Sequence, residues 1–310
     1  MMALTSSLRF PVLFMLLLFI HGCQDKKGSS SNAKRSIRYR DQSAEIPVHP
    51  KRVISLSPAV TEILFSVLPD SLVVGITPLC NFPEVNTRNK SRVEVYPLNV
   101  EKVLQLKPDV IFSEEGITSP QDAAHLRQLG IPVILFHYDK TRDIVDAMDS
   151  VRSWVVPETK TSNITALRMQ LNEQEKKQTT IPDSQRPGIL CVTWMDPIFA
   201  YGFETWMTDK IRLAGGKNVL SEKLDKPYPA LQRETILKLN PDILFGGTFE
   251  KMDTSFFRMY PELKNISAYK TKMVFELNDD LASRPGPRFM LGIREIEQHA
   301  EASRALRQKN

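Results

Sequence analysis

Cysteine is scarce, three in 310 residues, and none has a partner at metal-site spacing, so a disulfide-dense scaffold and a zinc ribbon are both excluded. The five histidines do not cluster with Asp, Glu or Cys as a transition-metal site requires. Neither sign of charge dominates. With 41 basic residues scattered among 36 acidic ones and a net charge of +5, there is no basic stripe to track nucleic-acid phosphates. The apolar run from Phe10 to Ile20 contains Pro11 and is shorter than the roughly 20 residues a bilayer span needs. Also absent are a Gly-x-Ser-x-Gly elbow, a Walker A loop and a Gly-x-Gly-x-x-Gly fingerprint. Gly215-Gly216-Lys217-Asn218 lacks the rest of a phosphate loop and reads as a helix stop. What is present is an average soluble composition, 42% hydrophobic and 25% charged. At roughly 100–200 residues per domain, the length suits about two domains.

The first 23 residues read as an export signal: one cation at Arg9, the apolar run, then Gly22 and Cys23. Ile20-His21-Gly22-Cys23 resembles a bacterial lipobox, which predicts a signal over 1–22 and a lipid on Cys23 as the only covalent group. An ordinary signal peptide is the alternative. The Lys/Ser-rich stretch that follows reads as a flexible tether over 23–44. Of the other two cysteines, Cys191 lies in an apolar strand-like run and Cys80 in a loop, and they could pair only if their Cα atoms came within about 7 Å.

Sliding the sequence along itself brings residues 101–112 onto 234–245. Glu101, Leu104, Leu106, Pro108, Asp109 and Phe112 meet identical residues at Glu234, Leu237, Leu239, Pro241, Asp242 and Phe245. Each copy reads as a short amphipathic helix opened by Glu, ended by Pro-Asp and followed by a strand. Strand-like runs precede both copies, at Val53–Leu56 and Ile189–Val192, and follow them, at Ile131–Phe136 and Met273–Leu277. Strands alternating with helices imply parallel sheets. The predicted fold is therefore α/β, with two similar lobes at 45–145 and 186–310, parallel central sheets and a ligand cleft between them. The lobes are joined through 146–185, where 159–178, free of Gly and Pro, is predicted as one long backbone helix with Thr161 or Ser162 near its N-cap. Such a helix, about 30 Å long, limits hinge motion.

Loops at predicted strand ends, where α/β sheets bind ligands, are rich in proline and aromatics. Ser57 and Pro58 follow the first strand, Leu79 and Phe82 lie in the loop 77–83, and Tyr96 precedes the first repeat helix. In the second lobe, Trp194 follows the first strand and Tyr228 precedes the repeat helix. Flat rings with a polar tip suit a large planar or macrocyclic ligand. His137, at a strand end, reads as a structural or cleft-edge residue.

Arg52–Glu62, Gly75–Pro83, Asn99–Asp109, Ala214–Val219, Arg233–Asp242 and Arg284–Arg288 together resemble the helical-backbone (class III) substrate-binding proteins of ABC importers, which carry cobalamin, ferric siderophores or haem. The loop Thr-Pro-Leu-Cys-Asn-Phe-Pro is most similar to the cobalamin branch. The resemblance implies that Glu101 and Glu234 dock to permease arginines, and that Tyr228, and Tyr96 nearby, meet a corrin ring. Asp280, Arg284 and Arg288 are implied contacts for cargo amides or carboxylates, with bracing of the last loop as the alternative for Arg288. Leu79 and Leu281 depart from the pattern, standing where aromatics are expected.

The expectation is thus a monomeric periplasmic or cell-surface lipoprotein, not an enzyme. It captures a metal chelate, a corrinoid first and a ferric siderophore or haem second, and delivers it to an ABC permease. It binds no nucleic acid and no free metal. A haem binder would offer Tyr96, Tyr228 or His137 as axial ligand, and an anionic siderophore would ask for converging arginines. From other classes, a two-lobed extracytoplasmic enzyme or a sensor lipoprotein are the alternatives.

Overall fold

The computed structural model describes residues 49–160, 162–203, 205–220 and 226–309. The expected signal, the tether with Cys23, the start of the first lobe before residue 49, and Thr161 lie outside these.

The first lobe holds β1 (Val53–Ser55), β2 (Val73–Ile76), β3 (Ser91–Arg92), β4 (Val110–Glu114) and β5 (Val133–Phe136), all parallel in the order β3-β2-β1-β4-β5. The second lobe holds β6 (Gly188–Met195), β7 (Ile198–Ala200), β8 (Lys217–Asn218), β9 (Ala230–Leu231), β10 (Ile243–Phe245) and β11 (Val274–Phe275). Its core β11-β10-β6 is parallel, and β8 adds to β6 in the same sense. Beyond this parallel centre, β7 pairs antiparallel with β6 and β9 antiparallel with β7. Met195 pairs with Ile198, so only Asp196 and Pro197 connect β6 to β7, and a two-residue connection can join only antiparallel strands.

The internal repeat has a structural reason. Helices Val100–Leu106 and Arg233–Leu239 both end in a left-handed residue, Lys107 (φ 46°) and Asn240 (φ 42°), which turns the chain sharply into β4 and β10. The repeated aspartate then seals the start of each lobe. Asp109 Oδ2 accepts from the amides of Lys51 and Arg52 at 2.6 and 2.8 Å, and Asp242 Oδ2 from that of Gly188 at 2.6 Å. The adjoining backbone bonds, Asp109 N to Arg52 O and Asp242 N to Gly188 O, are both 2.8 Å long. Pro120–Gln128 is helical, and Gly130 leaves it at φ 81°.

The backbone helix spans Ser162–Thr179. A second helix, Thr141–Val155, precedes it and escaped the sequence reading, so the lobe boundary at 145 cuts through an element. Ile144, Val145, Met148 and Val151 on this helix are fully buried. They belong to one apolar cluster that includes Val60, Phe112 and Phe136 of the first lobe and Met207, Ile211, Phe289 and Ile293 of the second. The two lobes therefore share a core through their connecting helices. The amide of Thr141 donates to Asp209 of the second lobe at 2.9 Å, pinning the start of the extra helix.

Candidate functional site

The carboxyl ends of β4 and β5 in the first lobe meet the Thr205–Trp206 helix start, the 227–228 loop and residues 283–285 of the second around a cavity of about 430 Å³. Its walls include Glu114, His137, Tyr138, Trp206, Tyr228 and Ser283. An adjoining cavity of about 300 Å³, also bounded by Ser283, reaches Cys191, Thr193, Tyr201 and Asp279. Tyr228, 45% exposed, rests edge-on against Tyr201 with centroids 5.4 Å apart, and Tyr201 meets Trp206 edge-on at 6.2 Å. On the opposite side, the Tyr96 hydroxyl donates to the Ile117 carbonyl at 2.7 Å, leaving its ring two-thirds exposed beside the cavity wall.

Glu114, which the sequence reading missed, lies among these rings. Its Oε1 accepts from the Ser57 hydroxyl at 2.7 Å. Although part of the residue still meets solvent in the cleft, burial of the carboxyl pushes its pKa up to about 7, against the opposing pull of Ser57 and of the more distant Arg284. Burial also raises the phenols of Tyr96, Tyr138, Tyr201 and Tyr228, and the negative charge of Glu114 adds to each. The repeat held a signal for Glu114: the matched run ends at Phe112 and Phe245, and Glu114 falls where the second copy has Gly247. A carboxylate closing an apolar strand at the ligand-binding end of a parallel sheet was legible as a site candidate.

The remaining sequence candidates separate into groups. Ser57 is fully buried, caps the helix that Pro58 opens and donates to Glu114, and neither residue is among those lining the two cavities. Leu79, Phe82, Asp280 and Arg284 gather in a latch between the lobes. Arg284 Nη1 donates to Asn81 Oδ1 at 2.6 Å and to Glu62 Oε1 at 3.3 Å, Nη2 to the Leu79 carbonyl at 3.3 Å, and its guanidinium pairs with Asp280 at 2.8 Å. Arg288 grips Glu62 with two bonds, at 2.8 and 2.5 Å, and lies over the Phe82 ring at 4.1 Å. The polar atoms expected to face cargo are thus engaged across the lobe boundary. Glu62, 2% exposed, was missed as well; it shares the buried helix face with Ala59 and Ile63, where a carboxylate demands a partner. Trp194 is 63% exposed, donates to the Asp196 carbonyl at 2.7 Å, and is not among the residues lining either cavity.

His137 lies on the cavity wall with Nδ1 2.9 Å from Glu115 and Nε2 2.8 Å from Asp139. The two carboxylates lie on opposite edges of the ring, and among the described residues no three His, Cys, Asp or Glu side chains converge as metal ligands. Cys80 and Cys191 are both free and buried, and burial pushes the Cys191 thiol up to about 12. Glu101 and Glu234 are exposed at the first turns of the two repeat helices. Among the described residues no helix is long and apolar enough to cross a membrane.

Two α/β lobes fastened by helices around a cleft that opens at the carboxyl ends of their strands define a two-lobed binding protein. The chain belongs to the periplasmic binding protein family, whose sequence profile matches residues 53–281; it is a substrate-binding protein of the transport kind and not an enzyme. It is 25% identical over 253 residues to a vitamin B12-binding protein of Vibrio vulnificus, covering 80% of this chain and 89% of the relative. It is 24% identical over 300 residues to the ABC transporter substrate-binding lipoprotein YvrC of Bacillus subtilis, covering 92% and 94%. The solved periplasmic vitamin B12 binding protein BtuF of Vibrio cholerae superposes with a TM-score of 0.72 at 24% identity, covering 83% of this chain and 99% of that one.

Proposed function

We propose that this protein captures a corrinoid between its lobes and delivers it to an ABC importer permease, held at the membrane by a lipid on Cys23. The observation that carries the reading is the aromatic cleft, with Tyr96 on one side and Tyr228, Tyr201 and Trp206 on the other, in a chain whose relatives include vitamin B12-binding proteins. Broad rings with neutral phenols suit the flat, amide-fringed face of a corrin. Arg284 and Arg288 are committed to Glu62, which removes the converging cations an anionic siderophore would use. Haem is the second reading, favoured by Tyr228 on the cavity wall, since both ring nitrogens of His137 are engaged by Glu115 and Asp139.

Calorimetric titration of the full chain in mild detergent, with cyanocobalamin, cobinamide, haem and ferric siderophores, tests the cargo. Saturable one-to-one binding of the corrinoids is expected, and Tyr228→Ala should weaken it by about tenfold, in line with an aromatic contact of about 1–2 kcal/mol. A preference for haem or a siderophore would replace the corrinoid by that chelate. Docking is tested separately: replacing Glu101 and Glu234 with Ala should lower transport in vesicles carrying the permease while cargo affinity stays unchanged. Full transport by the double variant would refute the docking pair. Cys23→Ala should move the protein from the membrane to the soluble fraction, and a variant still bound there would remove the lipid from the proposal.

A further inference from the structure

We propose that Glu114 selects cargo by charge, accepting chelates whose fringe at this point is a neutral amide or hydroxyl and rejecting those that place a carboxylate there. The inference rests on the corrinoid reading and deepens it.

The geometry supplies two reasons. Glu114 lies on the cavity wall between Tyr228 and Tyr138, so a cargo side group entering the cavity meets it. Its Oε1 is committed to Ser57 at 2.7 Å, while no hydrogen bond to Oε2 is made by the described residues, which leaves that oxygen for cargo.

The charge balance around the carboxyl sets the sign. From its own strand end comes Glu115; from β5 and the loop beyond it, His137, Tyr138 and, behind them, Asp139 and Asp143; from the 95–98 segment, Tyr96; from the second lobe, Tyr201, Tyr228 and Arg284. Arg284 is the cation that acts on Glu114, and its donors are spent on Glu62, Asn81 and the Leu79 carbonyl. The neutral form of Glu114 can donate to a cargo carbonyl, and the ionised form can accept from a cargo amide. A cargo carboxylate is compatible with the neutral form alone. Because burial holds the group at a pKa of about 7, binding an anion at higher pH requires taking up a proton, so affinity falls about tenfold per pH unit above that point.

The test compares cyanocobalamin with its monocarboxylic acids, in which one propionamide has become a propionate, over pH 6 to 9. Cyanocobalamin affinity should stay within about twofold. At least one acid isomer, the one that sets its propionate against Glu114, should weaken by about tenfold per unit above pH 7, and Glu114→Gln should abolish that slope. Infrared difference spectroscopy of the unliganded protein gives a readout independent of cargo. A protonated-carboxyl band should disappear between pH 6 and 8, and be absent in Glu114→Gln. Cyanocobalamin binding with all acids following the same pH profile, or a slope that survives Glu114→Gln, overturns the charge selection and leaves the corrinoid reading standing. Failure to bind cyanocobalamin, with or without haem binding in its place, overturns both.

Discussion

At the residue scale, burial pushes two titratable groups away from their ordinary ranges in opposite directions, and Lys210 gives the cleaner stability experiment. Its side chain is fully buried on the Trp206–Leu213 helix, where Nζ donates to the Leu281 carbonyl at 2.5 Å and lies 4.0 Å from the Trp206 ring centroid. Burial lowers its pKa to about 7, against the opposing influence of Cys191 and Glu295. The unfolded chain, with an ordinary lysine near 10.4, binds more protons than the native state between pH 7 and 10. Stability contributed by this group therefore rises with pH through that window and is lost as pH falls towards 7. Urea denaturation should show about 2 kcal/mol gained from pH 7 to 9, and Lys210→Met should flatten the gain. An equal slope in the variant would assign the effect elsewhere. Glu114 has the reverse sign. Its raised pKa favours the native state below the ordinary carboxyl range, and that contribution is lost as pH rises from about 4.5 to 7. The repeat could point to the place of Glu114, but the shift of neither group is readable from composition or spacing, because it depends on what packs around the side chain, and that is fixed by contacts from distant parts of the chain. Lys210 lies in a helix with ordinary amphipathic spacing, and its burial depends on Leu281, 71 positions away.

At the element scale, the repeat was legible because its physics is local: a short helix, a left-handed exit and a strand, each encoded within twelve residues. The reason for the invariant aspartate was not legible, since its partners, the amides of Lys51, Arg52 and Gly188, lie more than 50 positions upstream. Replacing Asp109 with Ala leaves two strand-entry amides without their charged acceptor. The expected cost is about 1–3 kcal/mol in chemical denaturation, and Asp109→Asn should recover part of it by keeping one acceptor oxygen. A loss below about 0.5 kcal/mol for the Ala variant would mean that water replaces the carboxylate. Asp242 is also held by Arg307 of the last helix, so its replacement should cost more than that of Asp109. The helix Thr141–Val155 was missed for a different reason. The unit before it ends in a strand and a polar turn, and the longer uninterrupted stretch after it offered a simpler single connection, although Ile144, Val145, Met148 and Val151 carry helical spacing.

At the scale of the whole molecule, the two lobes are fastened at two places, behind the cleft and beside it. Behind it, the connecting helices merge the lobe cores into one apolar cluster. Beside it, Glu62 of the first lobe is buried against Arg284 and Arg288 of the second, with Asn81 and Asp280 completing the network. The Glu62 hydrogen bonds hold the Arg288 guanidinium more firmly in its charged form, the direction expected of a tight pair. A pair of this kind is a modest source of net stability while intact, because both ions lost their water, yet removing one partner strands a charge and costs about 3–5 kcal/mol. Arg288→Ala leaves Glu62 only its 3.3 Å contact with Arg284 and should lower stability by up to about that amount, while Glu62→Gln combined with Arg288→Met, which removes both charges at similar volume, should restore most of it. The same comparison separates adhesion from rigidity. If the latch fixes the spacing of the lobes, spin labels placed on the exposed faces of the two repeat helices should give a narrow distance distribution in the native protein and a broader one in the double variant, even with stability recovered. Equal widths would assign the rigidity to the shared core alone, and the latch would then serve only to keep two arginines away from the cargo.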